Sequence, residues 1–490
     1  MFRVDRRTRR AALLAAGLAV PFLLGGCQPR TLAVTTTADE LNTDGDCSLR
    51  EAVRAANLDA AVDACPAGNG ADTITLGAGT FRLTVVGQSE QEGLAGDLDF
   101  LESVTLKGAG SGQTILDGNG TERIIDVFAP AAVTVSDLTI RNGAASPGRR
   151  GGGVVVLSGS SLTLRNTIVE DNVTSDGPLL LPDGGGIYNN GTMVVVDSIV
   201  RDNTAGGSEG SGGGIWNSGN LTLTGSTVRA NRAVGSNPNV HAIDGGGGIF
   251  NAGTLTVTRS TISGNTASYR AGGLGSTGTA SVSMSTLDAN LGLSGGGIHN
   301  TNALTVVNTT VSGNSSMASG GGVFSLSGNA TLSSATIAGN VADSDQNGAG
   351  DGGGISVAGG TVRMRNSILA TNVDRGGQAP DCANVGTVQS QGYSWFGSLA
   401  GYTVSGVTTG NQVGGNPMLG PLANNGGPTA TRALSSGSAA IDAADPAAPG
   451  SGGTACPAAD QRGVPRPQDG NGDGAARCDM GAHERRADGS

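Results

Sequence analysis

Hydrophobic residues in this chain alternate with polar ones in short runs, and the runs themselves recur. In GGGGIFNAGTLTVTRSTISGN, residues 245–265, a glycine run meets Ile249, an alternating segment carries Leu255 and Val257, and Ile262 precedes Asn265 by three residues. Variants return seven more times between residues 151 and 372. The aliphatic residues after the glycines are Val154, Ile187, Ile215, Ile249, Leu274, Ile298, Val323 and Ile355. The closing asparagines are Asn172, Asn203, Asn231, Asn265, Asn290, Asn314, Asn340 and Asn372. Within a unit the two marks lie 16 to 18 residues apart, whereas the gap to the next unit varies from 8 to 18. One part of the unit is nearly fixed in length and the other absorbs the insertions. Alternation bounded by Gly and Asn marks half-buried strands. A unit as short as Leu274 to Ile298, about 24 residues, holds three such strands and can bury its inner face only against its neighbours. The expected fold is all-β, a right-handed parallel β-helix, with the hand following the general crossover rule. A short helical cap is expected at its N-terminal end and an irregular domain after it.

Two polar columns follow from stacking such units. Asparagine tolerates the left-handed backbone of a sharp corner, and amides stacked roughly 4.8 Å apart can bond along the rod. Five residues before each asparagine runs a column of Thr167, Ser198, Ser226, Ser260, Ser285, Thr309 and Ser367, interrupted by Ala335. Both columns are expected to hold the coil and bind nothing. A third column differs. The residue after each aliphatic mark is Tyr188, Trp216, Phe250, Gly275, His299 or Phe324, and alternation points it outward. Tyr188, Trp216, Phe250, His299 and Phe324 are therefore candidate ligand-binding residues, a stripe able to dock sugar faces or partner surfaces. The alternative places these rings beneath the insertions at 173–183, 204–211, 232–244 and 341–351, which all leave from one corner.

The remainder divides by composition. Residues 1–26 read as a secretion signal, with Arg3, Arg6, Arg7, Arg9 and Arg10 ahead of an apolar run from Ala11 to Leu24 that is short for a membrane span. Leu24-Gly25-Gly26-Cys27 resembles the bacterial lipoprotein processing box, which implies that Cys27 carries a lipid. Residues 27–71 contain the clear helix, where Ser48 and Glu51 form a capping box and Leu49, Ala52, Val53 and Ala56 share a face. The string Cys47-Ser48-Leu49-Arg50-Glu51-Ala52 resembles the signature of the CSLREA domain, which lies N-terminal to repetitive surface proteins and has no established activity. Residues 72–405 are expected to form the β-helix, with about 13 coils over 72–400. Their regular part resembles the repeats of chlamydial polymorphic outer-membrane proteins and passes also as pectate-lyase-like. Residues 406–484, with NPMLGPLANNGGPTATRALSSGSAAIDAADP and DQRGVPRPQDGNGDGAARCDMGAHE, resemble the choice-of-anchor Q domain, which precedes varied C-terminal anchors. Residues 485–490 are a tail without sortase motif or apolar stretch, so the expected anchor is Cys27.

Charge and chemistry narrow the function. Removing residues 1–26 takes away five arginines and one aspartate, which carries the formal charge from −11 to about −15. An acidic surface repels phosphate backbones, so nucleic acid is excluded as a partner. In an exported chain the local pairings Cys47–Cys65 and Cys456–Cys478 are favoured, with Cys382 left as a thiol. No cofactor is required. Asp469, Asn471 and Asp473 open like a calcium loop, but Met480 stands where the bidentate glutamate belongs, and a polar turn explains them equally. Polysaccharide lyases and hydrolases need carboxylates or a basic residue converging on a sugar bond. The coils show no such motif, and Arg363, Arg365 and Asp374 are the nearest approach. The expected role is a non-enzymatic, monomeric, lipid-anchored surface rod or adhesin meeting the cell envelope, glycans or neighbouring surface proteins. A carbohydrate-binding module and a pectate-lyase-like lyase or hydrolase are the alternatives. Replacing Cys27 by Ser should release the protein from membranes in a fractionation experiment; unchanged partitioning would refute the anchor.

Overall fold

The computed structural model describes residues 29–87, 90–176, 183–208, 210–235 and 245–488. The signal region, the processing box, Cys27 and much of two insertions lie outside the described residues. Within them the chain winds into a parallel β-helix. Each regular turn lays a three-residue strand, a five-residue strand, a second three-residue strand and a two-residue strand on four separate sheets, as in Ile249–Asn251, Thr254–Thr258, Thr261–Ser263 and Thr266–Ala267. The first sheet has fourteen strands, from Thr31–Ala33 to Val404–Val407; the second has eleven, from Leu98–Phe100 to Cys382–Asn384. The third has thirteen, from Gly79–Arg82 to Gln412–Val413, and the fourth has eight, from Val173–Thr174 to Val373–Asp374. The second sheet thus counts eleven complete turns among the described residues, where about 13 were expected. Two boundaries also move. Thr31–Ala33 pairs in parallel with Asp72–Thr75, so the solenoid begins inside the segment assigned to the cap. Val404–Val407 still pairs with Thr387–Gln391, so it runs past residue 405.

The register is the one that the aligned marks require. Ile187 pairs with Ile215, Ile215 with Ile249 and Ile249 with Leu274. These residues, with Leu221, Leu223, Leu255, Val257, Val228 and Ile262, form one continuous buried core. Each such side chain removed from water contributes about 1.5–3 kcal/mol.

The asparagine file is continuous and wholly buried. Asn203 donates its backbone N–H (3.1 Å) and its side-chain amide (2.9 Å) to Oδ1 of Asn231, and the same amide donates to the Val169 carbonyl at 3.0 Å. The pattern repeats from Asn172 to Asn372, where Asp381 Oδ1 accepts the last pair of bonds. From Asn203 to Asn372 each Oδ1 accepts a backbone N–H and a side-chain amide from the preceding asparagine, and each amide donates at least twice, while Asn172 Oδ1 at the head of the row accepts the Gly143 N–H, so the row satisfies its own buried polar groups. The left-handed corner is not at the asparagine, as expected, but one residue earlier: Asp202, Ala230, Gly264, Ala289 and Thr371 have φ of 57°, 54°, 60°, 53° and 61°. That corner turns the asparagine inward, where its amide can meet its neighbours. The Ser/Thr column works in the same way. Ser226 N–H donates to Ser260 Oγ and Ser260 N–H to Ser285 Oγ, both at 3.1 Å, and each hydroxyl follows a left-handed residue such as Arg259 or Met284. The glycine run is the counterpart of the asparagine file. A Cβ on Gly248 would lie 2.9 Å from Asn265 Nδ2, so a side chain there would push the amide out of line.

The ends are treated differently. At the N-terminal end the helix α1 (Leu49–Leu58) lies against the first coils, with its capping box formed and Cys47 joined to Cys65. The C-terminal domain instead folds back along the flank of the rod. Thr286 Oγ1 donates to the Ala430 carbonyl (2.6 Å), Thr310 Oγ1 to Gln461 Oε1 (2.7 Å), and Ala482 N–H to Thr336 Oγ1 (3.0 Å). Hence the first position of the third-sheet strand is half-buried at Thr227 and Thr261 but buried at Thr286, Thr310, Thr336 and Ile368. Ile368 and Trp395 share a small core with Leu434, Ile441 and Met480, and Cys456 is joined to Cys478 within it.

Replacing Asn265 by Ala strands the N–H groups of Asn231 and the Val228 carbonyl at once. Each stranded group costs about 1–3 kcal/mol, and chemical denaturation should report a loss of about 3 kcal/mol or more. Thr371→Gly relieves a β-branched residue held at positive φ and should raise stability by up to about 1 kcal/mol. Equal effects in the two variants would contradict the ladder.

Candidate functional site

The outward-facing position of the second sheet carries the chain's most varied chemistry. Its middle residues form one file in register: Asp99, Asp126, Val155, Tyr188, Trp216, Phe250, Gly275, His299, Phe324, Ser356 and Ala383. The expected aromatic stripe therefore exists as a file, and Tyr188 stacks on Trp216 with centroids 4.6 Å apart and planes 9° off parallel. Trp216 and Phe250 are 6.0 Å apart, and His299 and Phe324 are 5.1 Å apart.

Of the two readings, an exposed stripe and rings covered by the connections, the second describes most of the file. Tyr188, Phe250 and His299 are buried, and Trp216 and Phe324 are half-buried. The segment that links one turn to the next lies over the file. Arg150 spans Tyr188 and Trp216, 4.9 and 5.4 Å from the ring centroids, and donates to the Tyr188 hydroxyl at 2.7 Å. At Gly275 the Gly245 carbonyl sits where a Cβ would be, so the file has a gap there. Arg270 Nη1 meets His299 Nε2 at 2.9 Å. Since a guanidinium only donates, Nε2 accepts and the ring is neutral, and burial followed by the Arg270 charge pushes the His299 pKa down to about 3. Phe250, His299 and Phe324 are thus packing residues rather than a docking surface.

The N-terminal end of the same file is a site that the sequence reading missed. Asp99 and Asp126 sit side by side on Leu98–Phe100 and Ile125–Val127. Arg123 projects among carboxylates: its Nε lies 3.1 Å from Asp97 and 3.9 Å from Glu122, and its Nη1 lies 3.4 Å from Asp126. Burial drives the Asp97 carboxyl up to about 6 against the pull of Arg123, and burial with the Asp97 charge drives Asp99 up to about 7. Asp126 is also raised by burial. A cavity of about 240 Å³, lined by Glu90, Asp97, Glu122, Arg123, Asp126 and Arg149, opens beside them. It shares Arg123, Arg149, Val155 and Leu157 with a shallower one of about 350 Å³ that reaches Arg150, Tyr188 and Asn190. Carboxylates, guanidinium groups and the Tyr188 ring thus line a groove of two adjoining cavities, and Trp216 is stacked on Tyr188 without lining either.

The helix positions this groove. Arg50, wholly buried, pairs with Asp39 at 2.6 Å and donates to the carbonyls of Gly93, Gly96 and Asp97. Asp39 in turn accepts from the backbone of Thr84 (2.6 Å) and Val85 (2.8 Å). The loop at 84–97, which carries Glu90 and Asp97, is therefore pinned at both ends to the cap. Glu51 closes the capping box and also accepts from Asn42 N–H.

The other candidates part company. Asp469 accepts from the N–H groups of Gly472, Asp473 and Gly474, Asn471 from Asp473 and Asp473 from Ala475. Their oxygens close a polar turn, and Met480 is buried in the C-terminal core. Arg363 and Arg365 stand on the first sheet, whereas Asp374 is on the fourth and accepts from the N–H groups of Gly376, Gln378 and Ala379, so these three do not meet. Cys382 is a buried free thiol whose pKa burial raises further.

A family model described as right handed beta helix region matches residues 112–254, which agrees with the coil path and gives its hand. No curated protein matches the chain. Among solved structures, pectate lyase Pel9A is similar at 13% identity and a TM-score of 0.41, over 94% of this chain and 98% of that one. The PL6 family alginate lyase AlyGC is similar at 14% identity and 0.33, over 72% of this chain and 52% of that one. The A-module of Azotobacter vinelandii mannuronan C-5 epimerase AlgE4 is similar at 13% and 0.29, over 70% and 89%.

The neutral His299 makes a pH prediction. An imidazole held near 3 in the fold, but free to reach about 6.5 when unfolded, contributes stability that is full above pH 6.5 and lost as pH falls towards 3. His483, pushed to about 3 chiefly by burial, adds in the same direction. Urea denaturation at pH 7.5 and 5 should show the His299→Gln variant losing less than the parent by about 2 kcal/mol. Equal losses would mean that His299 is protonated in the fold.

Proposed function

We propose that the protein is an exported, lipid-anchored rod that binds carbohydrate in the groove between the Asp97–Arg123–Asp126 cluster and the Tyr188–Trp216 stack. The observation that carries this reading is the continuity of that groove. Carboxylates and guanidinium groups offer acceptors and donors to hydroxyls, and an aromatic stack beside them suits the apolar face of a sugar ring. The reading shifts the ligand-binding residues away from Phe250, His299 and Phe324 and towards the first coils. Attachment to the envelope through Cys27 and display on the cell surface complete it.

A second reading is favoured by one specific arrangement. Arg123 converges with Asp97, Glu122 and Asp126 inside one cavity, and a cation amid carboxylates on a long β-helix face is the constellation expected of sugar-bond cleavage. Binding and cleavage separate in one experiment. The exported chain is screened on a glycan array, and every glycan bound is then incubated with it and assayed for new reducing and unsaturated ends. Binding without new ends is the expected result. Arg149→Ala, at an exposed side chain, and Trp216→Ala should each weaken it about tenfold, or roughly 1.4 kcal/mol. New ends that vanish in Arg123→Met would establish the second reading instead. A folded chain that binds no glycan would overturn both.

A further inference from the structure

We propose that Glu90, Asp97 and Asp99 form a binding site for a divalent cation of the calcium type. One oxygen of each carboxylate lies within 4.8 Å of the others, a spread suited to a hard cation with oxygen bonds of about 2.4 Å. An acidic cluster alone would mean little. Here the deepest member, Asp99, is wholly buried. Its Oδ2 accepts the Gly93 N–H at 2.8 Å, but its Oδ1 is sealed from solvent without a hydrogen-bond partner. A buried carboxylate oxygen without a partner costs free energy that a bound cation would recover.

The charge count points the same way. Arg123 is the cation paired with this cluster, and it is shared between Asp97, Glu122 and Asp126. Asp126 Oδ1 is buried without a hydrogen bond and is met by Arg123 Nη1 at an ion-pair distance of 3.4 Å. With Arg149 on the same cavity wall, two guanidinium groups face Glu90, Asp97, Asp99, Glu122 and Asp126, which still leaves negative charge over. The ligands are also preorganised. Glu90 is held by the N–H groups of Glu92 (2.9 Å) and Ala95 (3.0 Å), and the backbone carrying Asp97 is held by Arg50. The cluster contains neither His nor Cys, which disfavours zinc, and calcium accepts the remaining carbonyl and water ligands with little demand on geometry. A cation there would add a second fastening, besides Arg50, to the backbone around Glu90 and Asp97 and set the wall of the groove. This inference does not depend on what the groove binds, because calcium alone is the probe.

The test strips the full exported chain with chelator and titrates it with calcium, reading heat of binding and the melting temperature. The expected result is calcium binding with a rise in melting temperature. Affinity should fall about tenfold or more in Glu90→Gln, on the half-buried rim, and in Asp99→Asn. Asp469→Asn, in the C-terminal turn, should bind as the parent does. Three results would overturn the proposal: no binding up to about 10 mM calcium, parental affinity in both cluster variants, or a loss confined to Asp469→Asn. The first would mean that protons rather than a metal neutralise Asp99. Retained calcium binding with no glycan binding would leave the site standing and remove the carbohydrate reading alone.

Discussion

The structure depends on a buried row of amides. A parallel coil has no partner chain to fix its register, so every turn must specify its own position relative to the next. Between Asn172 and Asn372 this is done by side chains that donate both backward and forward, so that a turn displaced by one residue would strand several buried polar groups together. The glycines opposite are a consequence, since only bare backbone approaches these amides closely enough. Insertions are confined to the segment between Asn and Gly because the rest of the turn is committed to the row.

That regularity also explains why one file of outward positions can hold different chemistry at different heights. The backbone of the second sheet is the same at Asp99 and at Phe250; what changes is the segment laid over it. Along the later turns the connections cover the rings, and Arg150 and Arg270 bridge onto them. In the first turns the connection is the loop at 84–97, which the cap holds by Arg50 and Asp39. A cavity lined by Glu90 and Asp97 of that loop remains there. The cap thus does more than cover a sheet edge. Its arginine is the reason the carboxylates converge.

The repeats, their strands and the register could be read from the chain because spacing and side-chain alternation repeat eight times, so each turn corroborates the others. The helix could be read from a local cap in which Ser48 and Glu51 complete one another. What escaped lies where the repetition stops. Asp99 and Asp126 occupy the column of Tyr188, but in LDF and IDV no glycine run marks the strand, so the alignment was not carried back to them. A second ladder was also overlooked, although its signal is plain: Asn189, Asn217 and Asn251 stand two residues after the aliphatic mark, and their amides bond at 2.6 and 2.7 Å. Whether the rings are exposed or covered stayed open in the sequence, because alternation tells which way a side chain points, not what another segment lays on top of it. The docking of the C-terminal domain along the rod was not legible, since its contacts join residues 79 to 175 positions apart.

Hydrogen exchange resolved to single residues tests the amide row most directly. The backbone N–H groups of Asn172, Asn203, Asn231, Asn265, Asn290, Asn314 and Asn340 each donate to a neighbouring asparagine side chain, although they sit at corners where exchange is ordinarily fast. All seven should exchange as slowly as the core strands and open together with global unfolding. Exchange at the rate of the exposed loops, or rates that scatter from turn to turn, would show that the side chains do not form a single row.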